Sequence, residues 1–160
     1  MRKGSTILLL VIGVVSLFTY RYLRNVTEKE EKKVVHQQSL GPVETNIKWS
    51  DASKDAQTYR IRFDQVVAAV KNGAKCYDVR SFLEYQLGHV SIAEHYSLTT
   101  LRKGEFPAVV YEVPIYLYGS DSISSAQAAK LLRDEGFLYV YDLGSVEQIK
   151  AIGARLNEWW

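Results

Sequence analysis

A chain of 160 residues with 47% hydrophobic and 24% charged residues has the make-up of a globular protein, which excludes disordered and collagen-like classes. Its net charge of +2, without a basic stripe interleaved with aromatics, argues against nucleic-acid binding. Cys76 is the single cysteine, so an intramolecular disulfide, a redox pair and a cysteine-built zinc site are all excluded.

The N-terminus reads MRKGSTILLLVIGVVSLFTYRYLR, with 17 uncharged residues between Lys3 and Arg21. That is the short end of what spans a bilayer as a helix. Tyr20 and Tyr22 sit at the boundary, where aromatic rings favour the interface, and Arg21 and Arg24 can snorkel. A core helix is not apolar on every face, and a cleaved signal peptide needs small residues before the cut, which Phe18-Thr19-Tyr20 does not offer. Residues 1–24 are therefore expected to form an uncleaved single-pass membrane anchor. Arg21, Arg24, Lys29, Lys32 and Lys33 on one flank outnumber Arg2 and Lys3 on the other, so the following domain is expected on the cytoplasmic side.

Residues 25–57 are polar and mixed in charge, with Gly41-Pro42 as a breaker, and read as a tether. From 58 to 160 strand and helix signals alternate. Arg60 to Phe63 reads as a short first strand, followed by a helix capped by Asp64 and ended by Asn72-Gly73. Residues 74–80 form a β-prone run. Ser81 then opens a helix with Glu84 at the capping-box spacing, and Gly88 stops it. VPIYLYG, residues 113–119, is the most strand-like run of the chain, β-branched and aromatic without charge. Ser124, with Gln127 three residues on, is expected to start the next helix and Gly136 to close it. A strand over 137–144 and an amphipathic helix over 146–159 complete the pattern. The expected fold class is α/β, a mostly parallel sheet with helices on both faces.

The segment CYDVRSFLEYQLGHVSIAEHYSL resembles the first half of a rhodanese-like domain, with Asp78, Val79, Arg80, Glu84, Tyr85, Gly88 and His89 in register. IYLYGSDSISSAQAAKLLRDEGFLYVYDLGS resembles the second half, and the resemblance spans about residues 59–156. It implies a three-layer rhodanese-like fold in which Asp78, Arg80, Glu84, Gly88 and His89 are scaffold residues. It also implies sulfur chemistry at a cysteine that ends a strand and opens a six-residue loop of inward-pointing amides, a cradle that lowers the thiol pKa. Counting back from Ser125-Ala126-Gln127 puts Gly119 at the cysteine position and Ser120 and Ser124 at the arginine positions.

The loop Gly119-Ser120-Asp121-Ser122-Ile123-Ser124 thus has no nucleophile, and no catalytic residue is assigned. Its serines read as turn and capping residues rather than members of a triad with Asp78 and His89. Cys76 falls inside a predicted strand and reads as a small buried apolar residue. His36 and His95 have no second ligand at metal spacing, and neither metal nor cofactor is expected. The tyrosines at 111, 116, 118, 139 and 141 read as strand-forming core, and Trp159-Trp160 as a pair packing back on the domain. The leading expectation is a membrane-anchored rhodanese-like module without sulfurtransferase activity, binding a protein partner or a small anion at loop 119–124. The alternative is an active sulfurtransferase that uses Cys76.

Overall fold

The computed structural model describes residues 47–158. The expected anchor at 1–24, residues 25–46 of the tether and Trp159-Trp160 lie outside them. Among the described residues no helix is long and apolar enough to cross a membrane.

Four parallel strands form the sheet: β1 (Lys75–Asp78), β3 (Glu94–His95), β4 (Ile115–Gly119) and β5 (Val140–Ser145), in the order β3-β1-β4-β5. Side chains alternate across each strand, as the pleat requires. Cys76 and Tyr118 enter one core with Val66, Leu143, Ile149 and Ile152. Tyr77, Val79, Ile115 and Leu117 enter another with Ala128, Leu132 and Phe137. The first core is covered by α1 (Lys54–Tyr59), α2 (Phe63–Lys71) and α6 (Val146–Ala151), the second by α4 (Leu98–Arg102) and α5 (Ser122–Glu135). Two cores on one mostly buried sheet make the three-layer α/β architecture expected from the alternating pattern. Helix α3 (Phe82–Leu87) leads into β2 (Gly88–His89), which pairs antiparallel with β6 (Asn157–Glu158).

Several local expectations give way. Arg60 to Phe63 is not a strand: Arg60 caps α1 in the left-handed region (φ 55°), and Phe63 already begins α2. Tertiary burial of Ile61 and Phe63 overrides the β-prone alternation. Asp64 lies in the first turn of α2 rather than before it. The polar stretch 49–57 does not remain tether. A 3-10 turn at Trp49–Asp51 and α1 bury Ala52, Ser53 and Ala56, so the folded unit starts well before residue 58. The last helix ends at Ala151, because Gly153 (φ 102°) turns the chain toward β6. Helix α5 begins at Ser122, with Asp121 and not Ser124 outside its first turn.

Candidate functional site

The site expected from the sequence lies at the carboxyl ends of β1 and β4, where open α/β sheets gather their ligands. Asp78 ends β1 with no exposed surface. Burying a carboxylate there demands partners, and it has four donors. Arg80 donates from Nε to Oδ1 (3.0 Å) and from Nη2 to Oδ2 (2.6 Å), and its backbone N–H donates to Oδ1 (3.0 Å). Tyr118 Oη donates to Oδ2 at 2.7 Å. Arg80 Nη2 also reaches the Gly88 carbonyl (2.5 Å), and the Val90 amide donates to Tyr118 Oη (3.3 Å). Burial alone would lower the Arg80 pKa, but the hydrogen bonds and charge of Asp78 more than reverse this and hold it above its usual range. Burial and the Asp78 carboxylate likewise push the Tyr118 phenol up. The arginine charge is thus spent on the scaffold.

Helix α3 begins with the expected capping box. Ser81 Oγ accepts from the Glu84 amide, and Glu84 Oε2 accepts from the Ser81 amide (3.1 Å) and hydroxyl (2.6 Å). The other Glu84 oxygen accepts from Ser120 Oγ at 2.7 Å, tying the loop to α3. Bonds from the Ser81 and Ser120 hydroxyls hold the Glu84 carboxyl below its usual range. His89 stacks on Tyr85 (3.9 Å between centroids) and its Nδ1 lies 2.9 Å from the Tyr85 carbonyl. His95 Nε2 is 2.9 Å from the Arg80 carbonyl.

The loop itself is shorter than six residues, because Ser122, Ile123 and Ser124 already belong to α5. Asp121 extends its carboxylate over that helix end. Oδ1 accepts from the Ile123 (2.8 Å) and Ser124 (2.7 Å) amides, Oδ2 from Ser124 Oγ (3.0 Å), and the backbone carbonyl from the Ser125 amide (3.2 Å). These bonds, the Ser124 amide first, keep the Asp121 carboxyl below its usual range. Two of the amides at this helix end, those of Ile123 and Ser124, are therefore taken by an anion built into the chain. Gly119 is equally committed: a Cβ there would stand 3.1 Å from the Ser125 amide nitrogen and 3.3 Å from the Asp121 carbonyl oxygen.

Cys76 is 1% exposed within β1, and burial, then the Asp78 and Glu94 charges, push its thiol up to about 12. A buried, protonated thiol is a poor nucleophile. Each loop serine that donates a side-chain hydrogen bond does so to Glu84, Asp121 or the Ser122 carbonyl, and none donates to an imidazole. No group of three or more metal-ligating residues occurs among the described residues, and none of their buried side-chain N or O atoms lacks a partner.

Asp78, Arg80, Gly88 and the end of β4 thus converge, joined through Tyr118, while Glu84 reaches the loop through Ser120. Tyr118 is the residue that sequence reasoning left in the general tyrosine core. Its place directly before Gly119 on the face opposite Leu117 was the available signal.

The Rhodanese-like domain family matches residues 63–151, more than half of the chain. Among solved structures, the chain is similar to the Rhodanese_3-like domain of the Alr3790 protein from Anabaena sp. That match is 30% identical and covers 53% of this chain and 99% of that one, with a TM-score of 0.48. The solution structure of the rhodanese-like domain of the same protein is 26% identical over 62% and 78% of the two chains, with a TM-score of 0.51. A rhodanese with anions from E. coli is 24% identical over 54% and 100%, with a TM-score of 0.47. No curated protein matches. With more than half its length matched by the family model, the chain belongs to the rhodanese-like domain family.

Proposed function

We propose that this rhodanese-like domain performs no sulfurtransferase chemistry and acts as a binding or regulatory module, held at a membrane by residues 1–24 with the domain on the cytoplasmic side. The observation that carries the reading is the loop after β4. Gly119 supplies no nucleophile there, and the Asp121 carboxylate occupies the Ile123 and Ser124 amides at the adjoining helix end. Two ionised carboxylates, Asp121 and Glu84, stand where the sulfur donor's negative charge would have to approach, and like charges repel. Apolar side chains are left uncovered beside the same loop. Phe82 (64% exposed), Leu83 (68%) and Leu87 (58%) lie on α3, whose Glu84 accepts from Ser120 of the loop, and Ile123 (71%) lies on the first turn of α5. Exposed apolar side chains of this kind suit a protein partner better than a small anion.

The test is the intact mass of the full chain after exposure to thiosulfate or a persulfide donor. The native chain gains no sulfur, while the same chain in denaturant, with Cys76 freed, gains one. Sulfur uptake by the native chain overturns the reading in favour of a carrier at Cys76. The anchor is tested separately, by labelling a cysteine introduced at exposed Lys103 in a Cys76→Ala background. Protection from an impermeant reagent in intact cells supports the cytoplasmic side, and labelling there refutes it.

A further inference from the structure

The end of the sheet at which β4 and β5 begin has its own concave surface. A groove of about 460 Å³ is lined by Phe106, Val109, Tyr111 and Phe137 together with the carboxylates of Glu112 and Glu135. Its volume and mainly apolar lining with a few charged groups match ordinary binding clefts. Glu112 and Glu135 are exposed, and neither has an ion-pair partner among the described residues. Beyond Phe137 the chain continues over a second cleft of about 360 Å³, which Leu138, Tyr139 and Tyr141 line with Tyr59. There Arg133 and Asp55 neutralise each other at 2.8 Å.

The two clefts form one band. The Leu138 amide donates to the Tyr111 carbonyl (2.9 Å), the Tyr111 and Phe137 rings meet edge to face at 5.0 Å, and Tyr59 meets Tyr141 at 5.5 Å. Along it lie Val110 (65% exposed), Tyr111 (48%), Leu138 (62%), Tyr139 (49%) and Tyr59 (62%), more than half of the large apolar side chains the domain leaves open. Tyrosine and arginine are the residue types that dominate binding energy at interfaces. Edge pairing is closed to a partner here, because α1 occupies part of β5: the Asp142 amide donates to Asp55 and Ser53 Oγ donates to the Asp142 carbonyl.

We propose that this band docks a segment of a partner protein in which a bulky apolar side chain fills the first groove and an adjacent Lys or Arg meets Glu112 and Glu135. Charge decides the occupant: two uncompensated carboxylates around an apolar groove select a cation beside a hydrophobe and repel an anionic membrane surface. The surface lies at the other end of the strands from loop 119–124, so its failure leaves the reading of that loop untouched.

The experiment titrates the full chain against two labelled twelve-residue peptides, read by fluorescence anisotropy. One has Phe and Leu flanked by Lys and Arg; its twin has Glu at each basic position. The basic peptide binds at least about tenfold more tightly than its twin, and the Glu112→Lys/Glu135→Lys variant loses about tenfold in affinity, as expected when a charge pair is reversed. Leu138→Asp also weakens it, while Glu147→Lys, an exposed change of the same sign elsewhere, does not. Equal binding of the two peptides, no binding up to about 1 mM, or an equal loss in Glu147→Lys overturns the proposal. So does self-association or binding to anionic vesicles that Leu138→Asp abolishes in place of peptide binding.

Discussion

Asp78 shows what one buried carboxylate imposes on its surroundings. It has no exposed surface, and its oxygens accept from Arg80 two residues on and from Tyr118 forty residues away. Asp78→Ala strands the Arg80 guanidinium and should cost about 3–5 kcal/mol in urea denaturation, the usual result of breaking a buried pair from one side. Tyr118→Phe removes one bond from a still-paired carboxylate and should cost about 1–2 kcal/mol. At Asp142 burial raises the pKa, offset in part by the bond from the Gly144 amide (2.8 Å). Its folded form therefore holds the proton more tightly than the unfolded chain does. The stability this lends is present below the unfolded value, about 3.9, and disappears as pH climbs through the raised folded value. Asp142→Asn should accordingly gain stability relative to the natural chain as pH rises through that window, seen in urea midpoints measured across it.

At the scale of elements, glycine placement was the most legible feature: Gly88 and Gly136 stop helices, and of the caps read from the sequence Ser81 with Glu84 forms its box. The Ser145–Gln148 box was not read there. Gly144 is more constrained than a turn glycine: φ is 83°, and a Cβ would fall 2.1 Å from Gln148 Oε1, the atom that accepts from the Ser145 amide. Gly144→Ala should displace Gln148, break that box and cost about 1–3 kcal/mol from left-handed strain and the lost cap, measured as a lower thermal midpoint. What the sequence hid follows a common logic. The stretch 60–63 alternates like a strand, yet the burial of Ile61 and Phe63 fixes a turn and a helix start. Ser124 and Gln127 have capping-box spacing, but Asp121 captures the helix end earlier because its carboxylate reaches two amides at once. The Asp78–Arg80 contact and the Ser81–Glu84 box join residues close in sequence and were within reach of a local reading. The part that passes through Tyr118 was not, since it needs the pairing of β1 with β4.

For the whole molecule, the polar stretch 49–59 turns out to be structural. Asp55 accepts from Arg133 and from the Asp142 amide, and Ser53 donates to the Asp142 carbonyl, so a stretch that composition marks as linker covers an open strand edge. Long-range bonds of this kind leave no trace in local periodicity. A chain beginning at residue 60 should lose cooperative unfolding or aggregate through the exposed edge of β5, whereas one beginning at residue 45 should unfold as a single unit. Circular dichroism melts of the two separate these outcomes.

The carboxylate of Asp121 also bears on how such a domain drifts through sequence space. A side chain placed at position 119 by a single substitution would press on the Ser125 amide nitrogen and the Asp121 carbonyl oxygen, while the Asp121 carboxylate keeps the Ile123 and Ser124 amides engaged. Replacing Asp121 alone frees those amides but removes a cap and supplies no nucleophile. Positions 119 and 121 are thereby coupled through the backbone between them: what a substitution does at either one depends on the residue held at the other.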